Sequence, residues 1–287
     1  MNYRSVFRPE LFHDRVIVVT GGGSGIGRCT AHELASLGAT VALVGRKVEK
    51  LARVQAEIAE DGGKAASYPL DIRVEDDVAS TVRAILEKHG RIDGLVNNAG
   101  GQYPAPLVAL TQKGFETVLR TNLTGGFLVA RECFSQWMCD HGGAIVNIVA
   151  DMWNGMPGMA HSGAARAGMV NFTETAALEW AVSNVRVNAV APGWIASSGL
   201  DHYDEGMRET IRGMKQMVPL ARLGTEAEVS AAIVFLLSEA AAFVSGTTLR
   251  VDGAAPNYKR IWEVPEHPPA PSFNGFHRGG VPKVLEE

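Results

Sequence analysis

The feature that most constrains this chain is a regular alternation of short β-branched runs with segments of helical spacing. RVIVVT (15–20), TVALVG (40–45), AASYPL (65–70), IDGLVN (92–97), AIVNIV (144–149) and VRVNAVA (185–191) read as strands. They are apolar along most of their length, as strands covered on both faces must be. Between them, GRCTAHELASLG, KVEKLARVQAEIAEDG, VEDDVASTVRAILEKHG and GFETVLRTNLTGGFLVARECFSQWM carry helical periodicity. Strand–helix units repeated this often, joined by right-handed crossovers, give a doubly wound parallel sheet. A last helix, EAEVSAAIVFLLSE, and a last strand, TTLRVDG, complete it. The expectation is a single α/β domain over residues 1–253, with a seven-stranded parallel sheet and helices on both faces.

Two stretches break the alternation. Residues 194–224 hold a Met-rich helical segment, placed as a lid. Residues 254–287, rich in Pro and Gly, read as an irregular strap packed on the domain, with a disordered tail as the alternative.

Composition narrows the function classes. The chain of 287 residues is 46% hydrophobic and 20% charged, which is ordinary for a globular protein. A net charge of −4 without a basic tract argues against nucleic acid as a partner. No apolar run reaches the roughly 18–20 residues of a membrane span, and the N-terminal stretch shows no secretory h-region. The C-terminal PKVLEE is not a peroxisomal address. Three cysteines without a CxxC pair suit a reducing compartment. A cytoplasmic location is expected.

The first strand runs into TGGGSGIGR and then a helix, which places Gly21, Ser24, Gly25, Ile26 and Gly27 in a dinucleotide-binding turn. Glycine there lets the backbone approach a pyrophosphate, and the following helix N-terminus offers N–H groups and partial positive charge. This is the signature of a Rossmann domain. At the end of the second strand Gly45 removes the carboxylate that a free ribose calls for. Arg46 instead offers a guanidinium suited to a 2′-phosphate, so NADPH is the expected cofactor. Asp71 and Ile72 follow the third strand, where an adenine would lie.

TGGGSGIG, then NNAG (97–100), Asn122 in TNLTG, and Pro192–Gly193 after a strand together resemble the short-chain dehydrogenase/reductase family over residues 12–253. The resemblance implies that Asn98, Ala99 and Gly100 lie under the cofactor and that Asn122 holds a water in a proton relay. It also places Pro192, Gly193 and Ile195 against the nicotinamide. Ketoreductases of that family use Asn, Ser, Tyr and Lys, the Lys lowering the Tyr pKa toward neutrality. Here ARAG sets the register: Arg166 stands at the Lys position, Ser162 at the Tyr position, and Ala150 replaces the Ser. An aliphatic hydroxyl donates a hydrogen bond but not readily a proton. Arginine holds ribose hydroxyls without relaying protons. Ordinary carbonyl reduction is therefore not expected.

A closer resemblance, carried by NNAGGQYPAP, TNLTGGF, WMCDHGGAIVNIV, HSGAARAG, LEWA and WEVPEH, is to the trans-2-enoyl-CoA reductases of peroxisomes. The related 2,4-dienoyl-CoA reductases also lack the Tyr-x3-Lys pair. This implies NADPH-dependent reduction of the C=C bond of an enoyl-CoA thioester. Ser162 and Arg166 would polarise the thioester carbonyl, and Asp151 or Tyr103 would be the proton donor. His161 beside Ser162 is expected to pack as a helix-start residue. Two other readings stay open: a nucleotide-binding pseudoenzyme, and an oxidoreductase of another acyl-CoA or terpenoid substrate.

In the lid, Met207, Ile211, Met214 and Val218 form one apolar stripe, beside a basic stripe of Arg208, Arg212 and Lys215. The first could line an acyl pocket and the second hold CoA phosphates; an ordinary amphipathic lid is the alternative. Tyr103 and Trp153 are candidate pocket walls. The small residues of helix 162–181 permit close packing, and the resemblance implies a homotetramer.

Overall fold

The structure is a computed structural model that describes residues 2–202, 205–257 and 265–286. Seven parallel strands form one sheet: β1 (Val16–Thr20), β2 (Thr40–Gly45), β3 (Lys64–Pro69), β4 (Gly94–Asn97), β5 (Gly143–Ile148), β6 (Val185–Pro192) and β9 (Thr248–Val251). Their order is β3-β2-β1-β4-β5-β6-β9. A two-residue pair, β7 (Ile195–Ala196) and β8 (Gly224–Thr225), stands apart from it. The α/β expectation holds in type and strand number, and the strand ends agree with the sequence reading to within two residues.

The apolar runs alternate their loyalties across the sheet. Ile17, Val19, Val41 and Leu43 face one side, where α1 (Gly25–Ser36), α2 (Val48–Glu60) and α9 (Glu226–Leu237) pack through Leu34, Val54, Ile58 and Ile233. Val16, Val18, Ala42 and Val44 face the other, against α3 (Glu75–His89), α5 (Gly125–Cys133) and α7 (Ala160–Glu179) through Val82, Ile85, Val129 and Ala176. Burial on both faces explains why these strands show no polar alternation.

The long segment 112–141 is not one regular helix. It comprises α4 (Gln112–Leu119), a π turn (Arg120–Thr124), α5, a second π turn (Phe134–Met138) and α6 (Cys139–His141). The first π turn has a local cause. The Asn122 side-chain Nδ2 donates to the carbonyl of Val118 at 3.0 Å, four residues back, and so competes for the acceptor that the α-helical ladder would use. Single π turns of this kind commonly mark functional positions.

The tail from 265 to 286 contains no strand and only a 3-10 turn (Lys283–Leu285). Phe276 is buried beside Tyr3 and Arg28. Arg278 pairs with Glu60 and Asp61. Val284 packs on Ile211 and Met214 of the segment formed by α8 (Glu205–Gly213) and the turn Met214–Met217. N-terminal residues join the same side, where the buried carboxylate of Glu33 accepts hydrogen bonds from Tyr3, Ser5 and Ser230. All three cysteines are free thiols, two of them buried.

Candidate active site

Strand order reverses between β1 and β4, and the crevice beyond the carboxyl ends of such strands is where doubly wound sheets bind nucleotides. Two loops meet there. Thr20 Oγ1 accepts the backbone N–H groups of Asn98 and Ala99, each at 2.9 Å. The Asn98 side chain donates back to the carbonyls of Thr20 and Gly21. A Cβ on Gly27 would collide with the Asn98 amide and the Gly21 carbonyl, so only glycine lets the turn close. Ser24 caps α1 without using its hydroxyl, and the first turn of α1 has no acidic residue. The free N–H groups, the unused hydroxyl and the helix dipole suit a pyrophosphate. Ile26 and Ile195 pack partly or fully into the core beneath.

Beyond the ends of β2 and β3, Arg46, Leu70, Asp71, Asp77, Ser80 and Thr81 line a hollow of about 500 Å³. Arg46 is exposed at its rim. The Asp71 carboxyl is held at about 2, chiefly by its hydrogen bonds from Arg73, and the positive charge of Arg46 adds to the effect. Ile72 turns its side chain into the core, against the space above Gly125.

The reaction end draws together residues far apart in sequence. Asn122 is buried, and it clamps Gly101 on both sides: Oδ1 accepts the Gly101 N–H at 3.1 Å and Nδ2 donates to its carbonyl at 2.6 Å. Arg166 donates through one terminal nitrogen to the Ile148 carbonyl at 2.6 Å. A Cβ on Gly100 would lie within 2.6–2.8 Å of Asn122 Oδ1 and the other Arg166 terminal nitrogen, so these three residues converge. Burial pushes the Arg166 guanidinium down to about 10, which leaves it charged at neutral pH, and its Nε has no partner among the described residues.

Ser162 is fully buried and donates its hydroxyl proton to Gln102 Oε1 at 2.6 Å. His161 is also fully buried. Its Nδ1 accepts the Ser162 N–H, its Nε2 is unpartnered, and its ring stands edge-on to Tyr103 with centroids 4.7 Å apart. Asp151 follows β5, its backbone N–H bonded to the Pro192 carbonyl. One Asp151 carboxylate oxygen is buried without a partner. Burial raises its pKa, and the negative charge of Asp252 raises it further, against a smaller opposing effect of Arg250. Arg250 is itself paired with Asp252 at 2.7 Å and lies over the Trp153 ring. Gly193 leaves no room for a side chain beside Asp252, because a Cβ there would meet the Asp252 backbone and Cβ.

The lid residues are placed differently from the pocket wall the sequence suggested. Ile211 and Met214 are buried against Val284, Leu285, Leu200 and Leu223, so their apolar surface is covered by the chain's own tail. Periodicity marks a buried face but not what buries it. The Met207 side chain lies outside the described residues. Arg212, expected on CoA phosphates, donates to the carbonyls of Val284 and Glu286. Thr20, Gln102 and Asp252 were missed by sequence reasoning. Gln102 stood in the quoted loop GGQYPAP, and Asp252 in TTLRVDG, but neither neighbourhood signals its partner.

The alternating sheet, the glycine turn packed on the 97–100 loop, and the Asn122 clamp define a dinucleotide-dependent oxidoreductase fold. A family profile described as enoyl-(acyl carrier protein) reductase matches residues 21–254. The chain belongs to the short-chain dehydrogenase/reductase family, whose members use nicotinamide cofactors. It is 35% identical to the peroxisomal 2,4-dienoyl-CoA reductase of Danio rerio over 88% of this chain and 85% of that protein. It is 34% identical to a probable 2,4-dienoyl-CoA reductase of Bacillus subtilis over 83% of this chain and 95% of that one. Among solved structures, the citronellol catabolism dehydrogenase AtuB of Pseudomonas aeruginosa PAO1 is 62% identical, with a TM-score of 0.81 over 88% of this chain and 100% of that chain. Among the described residues no helix is long and apolar enough to cross a membrane, and no cluster of His, Cys, Asp or Glu is arranged for a metal ion.

Proposed function

We propose that this protein is an NADPH-dependent reductase of the C=C bond of an α,β-unsaturated acyl thioester of the CoA type. The observation that carries the reading is a buried serine hydroxyl and a desolvated arginine where a ketoreductase would have tyrosine and lysine, with a part-buried carboxyl of raised pKa, Asp151, just after β5. When bound, NADPH would supply hydride to the β-carbon of the conjugated thioester. As hydride adds, negative charge builds on the thioester oxygen. The Ser162 O–H, with the fixed charge of Arg166 behind it, stabilises that oxygen; donors of this kind are worth a few kcal/mol each in a dry site. The α-carbon then needs a proton. Asp151 suits this role because burial and Asp252 keep its carboxyl protonated to higher pH than a solvated aspartate. Gly21, Ser24, Gly25 and Gly27 would hold the pyrophosphate, and Arg46 the 2′-phosphate. Arg166 would hold the ribose beside Gly100.

Names of relatives support the substrate class: the dienoyl-CoA reductases act on conjugated thioesters by their titles. The AtuB title favours a second reading at the same site, in which the acyl chain is methyl-branched and derived from a citronellol-type terpenoid. The test is to mix the purified protein with NADPH and a medium-chain trans-2-enoyl-CoA and follow loss of reduced-nicotinamide absorbance. Parallel runs use NADH, a 3-methyl-branched enoyl-CoA, and citronellol with NADP+. Turnover of either enoyl-CoA supports C=C reduction, and a preference for the branched chain supports the terpenoid reading. Oxidation of citronellol alone would refute the reductase assignment. We further propose a homotetramer, which sedimentation would check.

A further inference from the structure

We propose that the side-chain carbonyl of Gln102 is a built-in stand-in for the substrate carbonyl, displaced from Ser162 when a thioester binds, and that this exchange selects for ligands bearing a C=O. The inference rests on the thioester reading above. A serine hydroxyl has one proton to donate, and here that proton is committed to Gln102 Oε1 at 2.6 Å. The distance is at the short end for an O–H···O bond, and the acceptor is an sp² carbonyl oxygen. A thioester carbonyl presents the same acceptor geometry. The Gln102 oxygen therefore marks the position the substrate oxygen must occupy, and both cannot be served at once.

The surrounding structure lets the side chain leave without disturbing the backbone. Gln102 is exposed, on a loop without regular secondary structure. The residue before it, Gly101, is fixed at both its N–H and its carbonyl by Asn122. Farther along, the Ala105 N–H is bonded to the Gly158 carbonyl at 2.8 Å, which ties the loop to the segment before α7. Only the side chain has to move, and it moves into water, where an amide is well solvated. Asn122 is in this sense a positioning residue for Gln102.

Selection follows from burial. Ser162 is fully buried, so a ligand that pushes Gln102 aside without supplying an acceptor leaves the hydroxyl unpaired, which costs more than a lost solvated bond. A thioester replaces the bond. A thioether of the same length does not.

The experiment is calorimetric binding of decanoyl-CoA and of S-decyl-CoA, its thioether counterpart without the carbonyl, which separates affinity from turnover. Gln102→Met keeps the length and removes the acceptor, Gln102→Glu supplies a stronger one, and each is repeated in a Ser162→Ala background. Wild-type protein is expected to prefer the thioester. Gln102→Met should tighten thioester binding about fivefold, the worth of one ordinary hydrogen bond. Gln102→Glu should weaken it by about tenfold, as expected for a charged acceptor. Both effects should vanish with Ser162→Ala. Weaker binding by Gln102→Met, or effects that persist without the serine hydroxyl, would overturn the proposal. Thioester binding by wild type that no Gln102 substitution alters would sink the stand-in alone. No binding of either CoA compound would sink it together with the substrate reading.

Discussion

The two halves of the crevice are built on opposite terms. At the glycine-turn end the two loops satisfy each other, leaving only the N-terminus of α1 open: Thr20 serves two backbone N–H groups, and Asn98 closes the turn onto two carbonyls. At the reaction end, Asp151, His161 and Arg166 each keep a buried polar atom without a partner, and Ser162 is paired with a residue on an exposed loop. Buried polar groups are almost always satisfied, and although Thr30, Ser67, Asn97 and His277 also carry unpaired atoms, three such residues gather at the reaction end. The first end is a preformed shape. The second holds bonding capacity in reserve for something that arrives later.

The largest effect should come from breaking the self-satisfied end. Gly27→Ala forces a methyl into the Asn98 amide and the Gly21 carbonyl. It should cost about 1–3 kcal/mol of stability, as overpacking does, and abolish dinucleotide binding; thermal unfolding and quenching of reduced-nicotinamide fluorescence would report both. At the reaction end the expected pattern is reversed, with function lost and fold kept. Asp151→Asn should lower the rate of C=C reduction by about a hundredfold, the scale of general-acid catalysis, while the melting temperature holds or rises. Retained turnover would move the donor role to Tyr103.

The pH profile sharpens the point. The proposed donor role needs Asp151 protonated, and its pKa is raised, so turnover should fall as pH rises through that raised value. Asp252→Asn removes a neighbouring negative charge, stabilises the Asp151 carboxylate and should shift the fall to lower pH. A profile that does not move would mean another group controls it. Arg46→Ala should raise the Kd for NADPH by about tenfold and leave NADH binding nearly unaltered, in line with one lost charge-assisted contact; equal loss for both would remove Arg46 from the 2′-phosphate role. The smallest effect concerns Glu226, at the start of α9 beside Gly25. Burial pushes its carboxyl up to about 7, with Arg28 opposing. Its folded pKa lies above its unfolded one, so its contribution to stability is complete below about pH 4.5 and is lost as pH rises through 7. Glu226→Gln should flatten that decline, measured as denaturation midpoints at pH 5 and 8.

Legibility in the sequence followed the range of the interactions. The seven strands and most helices were readable because burial on two faces leaves an uninterrupted apolar run, and the Gly-rich turn lies within nine consecutive residues. The register that set Ser162 and Arg166 came from ARAG read against the family resemblance. Gln102 could not be read, since its bond to Ser162 spans 60 residues and is made by an exposed loop. Asp252 lies a hundred residues from Asp151 and meets it only because β9 and β6 are neighbours in the sheet. The π turn at Asn122 depends on a side chain competing with the backbone, which helical periodicity does not encode. The stripe of Ile211 and Met214 was visible, but its partner, Val284, arrives from 70 residues farther on.

That last contact ties two mobile-looking parts of the chain into one mechanical unit. Val284 gives its carbonyl to Arg212 on α8 and its N–H to Asp201, just before that helix, so a single residue staples the helix at both ends. The tail and α8 are thereby held to one another, so loosening either should loosen both.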